Sequence, residues 1–227
     1  MRYKTIFIIC LSFFLGLRQN ANAQTEEIFN YVSDTTQTWT VPACINRVTV
    51  QLWAGGGGSG NDYCTNFGEC SGAAGGYYEG ILTSLITGDV LSLTVPSGGQ
   101  YQDHCDTGYY GGNGGWPGGG KGGEADRIYV LYAGGGGGYA AVAIGGTYYV
   151  IAGAGGGGSA NNAFGYGGGG GGKIGQDGDN SGGPTSGGTG GTQSNGGYCQ
   201  WNQCSCDTLP VLSSHGSYLQ GGFGGGA

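Results

Sequence analysis

Ser181 lies in a stretch of this chain whose residue types could support nucleophilic catalysis. Residues 178–184 read GDNSGGP, which is the G-D-S-G-G-P turn of a reactive serine with Asn180 inserted, and His104 could act as a base. Such catalysis needs serine, histidine and aspartate in hydrogen-bond contact, beside backbone amides that stabilise the oxyanion. The inserted residue displaces Ser181 from the turn and glycine runs surround it, so we expect no catalytic residue and no enzyme activity.

Phosphate and metal sites are also poorly supported. Two glycine runs end in lysine, at Lys121 and Lys173, but neither lysine is followed by the Ser or Thr that a phosphate-binding loop needs. Residues 204–206 (CSC) lack the C-x₂-C spacing of structural zinc. Residues 177–180 (DGDN) lack the spacing of an EF-hand calcium loop. The sequence therefore predicts no cofactor and no metal.

Aromatic residues in or beside glycine loops are the candidate ligand contacts. Tyrosine and tryptophan combine a large apolar surface with a polar group, and on exposed loops they stack on sugars or anchor partner proteins. The alternative is that these residues cap packed glycine segments. The candidates are Tyr77, Tyr78, Tyr109, Tyr110, Trp116 and Trp201.

The N-terminus has the pattern of a secretory signal peptide. Arg2 and Lys4 precede an apolar stretch at residues 6–17, and residues 21–23 (ANA) form an A-x-A cleavage site. The apolar stretch is shorter than the roughly 20 residues that a membrane-spanning helix needs. We expect cleavage after Ala23, no membrane span in the mature chain, and a secreted or cell-surface location.

The mature chain is expected to be acidic and rich in cysteine. Loss of three basic residues with the signal peptide changes the net charge from −7 to −10, which disfavours nucleic acid as a partner. Of the eight cysteines, Cys10 is lost with the signal peptide. In an exported protein we expect disulfides among the other seven. Their pairing cannot be deduced from the sequence, and their odd number leaves one cysteine without a partner within the chain. The disulfide candidates are Cys44, Cys64, Cys70, Cys105, Cys199, Cys204 and Cys206.

Short alternating segments predict β-strands, and no segment has helical periodicity. Residues 48, 50 and 52 are apolar, whereas Thr49, Gln51 and Trp53 occupy the alternate positions, as in a half-buried strand. Gly145-Gly146 separates two further segments and suits a tight turn with positive φ. The predicted strands are residues 47–53, 79–85, 89–95, 128–132, 139–144 and 147–152, with residues 39–42 opening the first unit.

Glycine runs separate these strands. Glycine accounts for 59 of the 227 residues, against a usual level of about 7%. Several runs have a three-residue beat, as in GGNGGW at 111–116, which is the period of an extended polyproline II-type helix. Without Cβ atoms, neighbouring helices of this type can pair backbone to backbone; flexible linkers are the alternative. The runs are residues 55–60, 111–123, 134–138, 155–158, 167–172, 182–197 and 221–226.

Two segments resemble secreted glycine-rich modules of bacterial surface proteins, which are often adhesins. Residues 38–58, TWTVPACINRVTVQLWAGGGG, resemble the opening of these modules, and residues 134–158 resemble their central glycine-flanked repeat. A related domain in the anaplastic lymphoma kinase receptors is a β-sandwich with inserted polyglycine helices that binds a cytokine. The resemblance covers roughly residues 36–227 and carries over no catalytic residue. Cys44 and Ala54 stand where the pattern has glycine, which suggests a disulfide of this chain's own.

The predicted fold is all-β: a sandwich-like strand core with inserted polyglycine II helices, stapled by disulfides and with essentially no α-helix in the mature chain. Residues 1–23 form the signal peptide, 24–37 an N-terminal segment, and 38–227 the glycine-rich domain, which ends inside a glycine run and so suggests a truncated fragment. We expect an extracellular adhesion or recognition module that binds a glycan or a protein. The alternatives are a self-associating subunit of a matrix or filament and, less favoured, an ice-binding protein.

Overall fold

The structure is a computed structural model, and it describes residues 25–62, 66–101, 111–123, 133–158, 165–171 and 175–180. Within these ranges there is no helix, so none could cross a membrane, and every strand pair is antiparallel. The described chain is therefore all-β, as the sequence predicts. Its strands are β1 (Gln37–Thr40), β2 (Arg47–Trp53), β3 (Gly60–Asp62), β4 (Asn66–Cys70), β5 (Tyr77–Thr83), β6 (Val90–Thr94), β7 (Ala140–Ile144), β8 (Thr147–Ala152), β9 (Gly165–Tyr166) and β10 (Asp179–Asn180).

Two sheets supply the core. Strands β1, β6, β7 and β8 form a four-stranded sheet in the order β1-β6-β7-β8, and β2 pairs with β5 in a separate ribbon. The Gly145-Gly146 turn joins β7 to β8 with φ angles of 57° and 81°, which confirms the predicted tight turn. Glycine suits both turn positions because left-handed φ costs it nothing sterically.

One buried cluster contains apolar side chains from both the ribbon and the four-stranded sheet. Strand β2 contacts β7 and β8, and β5 contacts β8. Alternation places the residues at 48, 50 and 52 of β2 toward the core, while the intervening residues are exposed. The ribbon and the sheet are therefore held together by apolar side chains, whose burial is the main favourable term in folding. The buried cluster consists of Val41, Leu82, Leu85, Leu91, Val142 and Val150.

One predicted strand is shifted along the chain. The sequence places it at residues 79–85, whereas β5 covers Tyr77–Thr83. Pairing with β2 extends the strand back to Tyr77, opposite Trp53. Ser84 has a φ of 62°, a left-handed conformation that ends the strand. The short strands β1, β3, β4, β9 and β10 have no prediction of their own, and the predicted strand at 128–132 lies outside the described residues.

Glycine segments continue from one end of both sheets. Segment 54–58 follows β2, and segment 71–76 leads into β5. Segment 133–138 leads into β7, and segment 153–158 follows β8. The amide of Gly55 donates to the carbonyl of Gly138 at 2.8 Å, so the segment that follows β2 is hydrogen-bonded directly to the segment that leads into β7.

The hydrogen bonds of segment 133–138 repeat every third residue. The amides at 134 and 137 donate to carbonyls of segment 153–158, and those at 135 and 138 donate to carbonyls of the segment that follows β6. The amide at 136 donates to a third segment, at Gly120. The bonds are Gly134 to Gly158 and Gly137 to Gly155, Gly135 to Gln100 and Gly138 to Ser97, and Gly136 to Gly120, at 2.8 to 3.0 Å. Successive amides thus point in three directions.

Close approach of these segments depends on the missing Cβ atoms. A Cβ built on Gly57 would overlap the carbonyl of Gly156, and one built on Gly135 would overlap the carbonyl of Asn113. Asn113, the non-glycine residue of the GGNGG beat, is itself exposed, whereas Gly112 and Gly115 are buried. At this turn, the non-glycine position of the three-residue beat is therefore the one that faces away from the neighbouring segments.

Candidate functional site

The outer face of the β2–β5 ribbon carries the candidate site. In the antiparallel register, Trp53 lies opposite Tyr77 and Gln51 lies opposite Glu79. All four residues are exposed, because the alternate positions of β2 are the ones that face the core. Directly opposite side chains in an antiparallel pair have Cβ atoms about 4.5–5.5 Å apart, so the strands bring these groups into contact.

Trp53 and Tyr77 form an exposed aromatic pair. Their ring centroids are 5.2 Å apart and the ring planes are inclined by 44°. Trp53 is 63% exposed and Tyr77 is 47% exposed. Aromatic pairs at this separation attract each other by about 0.5–1.5 kcal/mol beyond area burial. The two rings therefore hold each other in place while a large part of their surface stays open to solvent.

A carboxylate lies directly beside this pair. The Tyr77 hydroxyl donates to Oε2 of Glu79 at 2.6 Å, and Nε2 of Gln51 donates to the same oxygen at 3.0 Å. Within the described part of the chain, Oε1 of Glu79 accepts no hydrogen bond. We call Trp53, Tyr77, Gln51 and Glu79 the aromatic–carboxylate cluster. It combines an apolar platform with a charged acceptor whose position is set by two hydrogen bonds.

These hydrogen bonds shift the pKa values of both ionisable partners. The pKa of Glu79 is lowered, first by the hydrogen bond from Tyr77 and then by the one from Gln51, because both stabilise the carboxylate. The pKa of Tyr77 is raised, first by its hydrogen bond to Glu79, then by desolvation and by the charge of Glu79. At neutral pH the cluster therefore holds a charged Glu79 and a neutral Tyr77.

The structure separates two of the predicted contact residues. Tyr77 and Tyr78 are neighbours on β5, so they point to opposite faces of the ribbon. Tyr78 lies opposite Leu52, in the row that faces the core, and its ring lies over Gly80, where a Cβ would collide with it. Of this pair, only Tyr77 belongs to the cluster.

The other predicted contacts lie elsewhere in the chain. Trp116 is half-buried in a glycine segment, and its amide donates to the Ser97 hydroxyl at 2.8 Å. The carbonyl of Trp116 accepts a bond from the amide of Ser97, so its backbone is part of the glycine-segment network. Tyr109, Tyr110 and Trp201 lie outside the described residues, as do His104 and Ser181.

Trp53, Gln51 and Glu79 were not predicted as contact residues. The alternation of β2 does place Trp53 and Gln51 on its polar face. The missing information was the register between β2 and β5, because no pattern in either segment alone shows that residue 53 pairs with residue 77.

Cys44 is the disulfide candidate whose side chain is described. It is exposed and forms no disulfide within the described part of the chain. The other six candidates lie outside the described residues or in β4, whose side chains are not described, so the predicted pairing stays a prediction. Cys44 has a φ of 66°, a left-handed conformation that glycine adopts at no steric cost. Among the described residues, no group of three or more His, Cys, Asp or Glu could hold a metal.

Comparisons of the chain with models of known families, with curated proteins and with solved structures give no match. The resemblance to secreted glycine-rich modules therefore stays a prediction from the residues quoted above.

Proposed function

We propose that this chain is a secreted or cell-surface adhesion or recognition module, which carries out no catalysis and binds its partner through exposed aromatic residues. Export is supported by the signal-peptide pattern at residues 1–23. Recognition is supported by the aromatic–carboxylate cluster, and the Trp53–Tyr77 pair is the observation that carries the proposal. Rigid aromatic side chains of this kind supply contact area at little cost in conformational entropy.

The scaffold that we propose is a sandwich-like strand core continued by a bundle of polyglycine II helices. The three-residue repeat of the amide partners along 133–138 supports this, because three residues per turn is the period of such helices. Each inter-segment bond contributes about 0.5–1.5 kcal/mol net, comparable with the backbone ordering cost of about 1–2 kcal/mol per residue. The strand core therefore has to hold the segments in register.

Hydrogen exchange of the oxidised mature chain tests this scaffold. We expect the amides of Gly135 and Gly137, which bond to neighbouring segments, to exchange far more slowly than those of an unstructured glycine peptide. The amide of Gly146, in the exposed turn, is the internal reference for fast exchange. Exchange at 135 and 137 as fast as in the free peptide would contradict a packed bundle.

A binding assay with matched variants tests the function. Labelled mature protein is applied to glycan arrays, extracellular protein arrays and whole cells. We expect Trp53→Ala/Tyr77→Ala to reduce binding at least tenfold, as loss of a central aromatic contact does, and Tyr149→Ala, at a residue 59% exposed on β8, to leave it unchanged. The variant Tyr109→Ala/Tyr110→Ala/Trp116→Ala tests the loop residues that the sequence predicted. Equal binding by the wild type and both aromatic variants would contradict the proposal.

The alternative is a self-associating subunit of an extracellular matrix or filament. The exposed Cys44, which forms no disulfide among the residues that the structure describes, favours it because such a thiol could link two chains. Non-reducing electrophoresis and electron microscopy distinguish the two functions. Disulfide-linked filaments that are lost in Cys44→Ser would support the structural role, and a monomer that retains surface binding would support recognition.

A further inference from the structure

The aromatic–carboxylate cluster has the size and chemistry of a small-ligand site. Among the residues that the structure describes, its apolar part consists of the Trp53 and Tyr77 rings, with the exposed Ile81 further along β5. A stable protein–protein interface buries about 800 Å² on each partner, with some 20–30 residues a side. Two rings with centroids 5.2 Å apart offer a platform for one flat apolar face of a small molecule instead.

Hydrogen-bonding groups lie beside the platform and are already oriented. Oε2 of Glu79 is held by Tyr77 and Gln51, which leaves its Oε1 open as an acceptor in the described structure. The amide oxygen of Gln51 is a further acceptor, because only its nitrogen is used by Glu79. A ligand that suits these groups presents an apolar face together with several hydroxyl donors on its rim.

Charge narrows the ligand class further. Glu79 is negative, and the chain has 14 acidic residues against 7 basic ones. Sulfated or uronic acid-rich polymers would be repelled by the Glu79 carboxylate, whereas uncharged hydroxyl groups would not. A hydrogen bond to a charged group is about twice as strong as one between neutral groups, so a carboxylate is an effective partner for a sugar hydroxyl.

We propose that the cluster is a binding site for neutral carbohydrate, in which a sugar ring packs on Trp53 and Tyr77 while its hydroxyl groups bond to Glu79 and Gln51. This inference rests on the proposed recognition function and specifies its ligand. Trp53 supplies most of the contact area, and Tyr77 both widens the platform and positions the carboxylate.

Titration with soluble oligosaccharides, followed by NMR, tests the inference on the whole mature chain. The probes are neutral cello-, manno- and xylo-oligosaccharides and N-acetylglucosamine oligomers, with a heparin fragment as the anionic counterpart. We expect at least one neutral probe to shift the Trp53 indole resonance, which is assigned by its loss in Trp53→Phe. Trp53→Ala should weaken binding at least about tenfold, and Glu79→Gln should weaken it about tenfold through loss of the charged acceptor. Tyr149→Ala should bind as the wild type does.

Salt and a cationic probe separate this inference from its closest rival. A cation held over an aromatic face beside a carboxylate would also suit the cluster. Tetramethylammonium binding that perturbs Trp53 and weakens as salt is raised, with no shift from any neutral sugar, would overturn the carbohydrate assignment. Binding to cells or arrays that depends on Trp53 but is not inhibited by any neutral sugar would also overturn the carbohydrate assignment, while leaving the recognition function in place. Surface binding that is unchanged in Trp53→Ala/Tyr77→Ala would remove both.

Discussion

The amide of Gly76 donates a 2.8 Å hydrogen bond to the carbonyl of Gly153, and this bond joins the chain entering β5 to the chain leaving β8. Sheets that pack face to face lie about 10 Å apart, too far for direct backbone hydrogen bonds. The two segments can meet here because Gly76 and Gly153 have no side chains, and a Cβ on Gly76 would lie only 2.9 Å from the Gly153 carbonyl oxygen. Apolar side chains therefore pack the strands together, whereas backbone hydrogen bonds join the glycine segments directly.

Alanine substitutions at two consecutive glycines should differ sharply. A Cβ at Gly137 would overlap the carbonyl oxygen of Gly55, whereas a Cβ at Gly136 meets nothing closer than 3.5 Å. We expect Gly137→Ala to lower the free energy of unfolding by about 2–3 kcal/mol, because the colliding atom is backbone and cannot rotate away. Gly136→Ala should change it by no more than about 0.5 kcal/mol. Denaturant unfolding measures both, and similar values for the two variants would argue against close packing of the segments.

Substitutions on the buried face of β6 should destabilise the fold far more than substitutions on its exposed face. Leu91 is 2% exposed within the core, and its neighbour Val90 is 47% exposed. We expect Leu91→Ala to lower the free energy of unfolding by about 2–5 kcal/mol through loss of buried contacts and the cavity left behind. Val90→Ala should stay within about 0.5 kcal/mol of the wild type. Thermal and denaturant unfolding provide the comparison, and a large loss in Val90→Ala would mean that the outward face of β6 is covered.

The Tyr77–Glu79 hydrogen bond should restrict the pH range in which the cluster is intact. The pKa of Glu79 is lowered in the folded chain. Its contribution to folding stability is therefore present above the ordinary carboxyl pKa and is lost as pH falls through the lowered value. The pKa of Tyr77 is raised. Its contribution to folding stability is therefore present below the ordinary phenol pKa and is lost as pH rises through the raised value. NMR titration of the Glu79 carboxyl carbon and the Tyr77 ring carbon measures both limits.

Removal of either Tyr77 or Glu79 should shift the pKa of the other residue back toward its ordinary value. We expect Tyr77→Phe to raise the pKa of Glu79 toward its ordinary value, because the main stabilising hydrogen bond is gone. Glu79→Gln should lower the pKa of Tyr77 for the corresponding reason. If each titration is the same in the wild type and in the variant, the hydrogen bond does not exist in solution.

Glycine at position 44 should stabilise the fold. Cys44 has a φ of 66°, and a left-handed conformation costs a residue with a Cβ about 1–2 kcal/mol. Glycine avoids this strain but loses more backbone entropy on folding, about 0.5–1 kcal/mol, so we expect Cys44→Gly to raise the free energy of unfolding by about 0.5–1 kcal/mol. Cys44→Ala, which keeps the strain, is the control. A loss of stability in Cys44→Gly that disappears in reductant would show instead that Cys44 forms a disulfide.

Local patterns in the sequence were sufficient to predict most of the strands of the core. Alternation over residues 47–53 and 147–152 predicted β2 and β8, with the same bounds as in the structure. The Gly145-Gly146 turn was predictable because a two-residue hairpin turn and its φ requirement are both local. Strands β3, β4, β9 and β10 have no alternating apolar pattern, and only their pairing with another segment makes them strands.

The candidate site depended on tertiary structure. The sequence predicted both Tyr77 and Tyr78 as contacts, and strand geometry sends these neighbours to opposite faces of the ribbon. It did not bring Trp53 to Tyr77, because a register between segments more than twenty residues apart is set by the whole core and not by either strand. The glycine segments show the same limit: composition and the three-residue beat indicate that they can pack closely, yet a residue without a side chain carries no information about its partner. Only the folded chain decides that Gly137 bonds to Gly155 and Gly138 to Ser97.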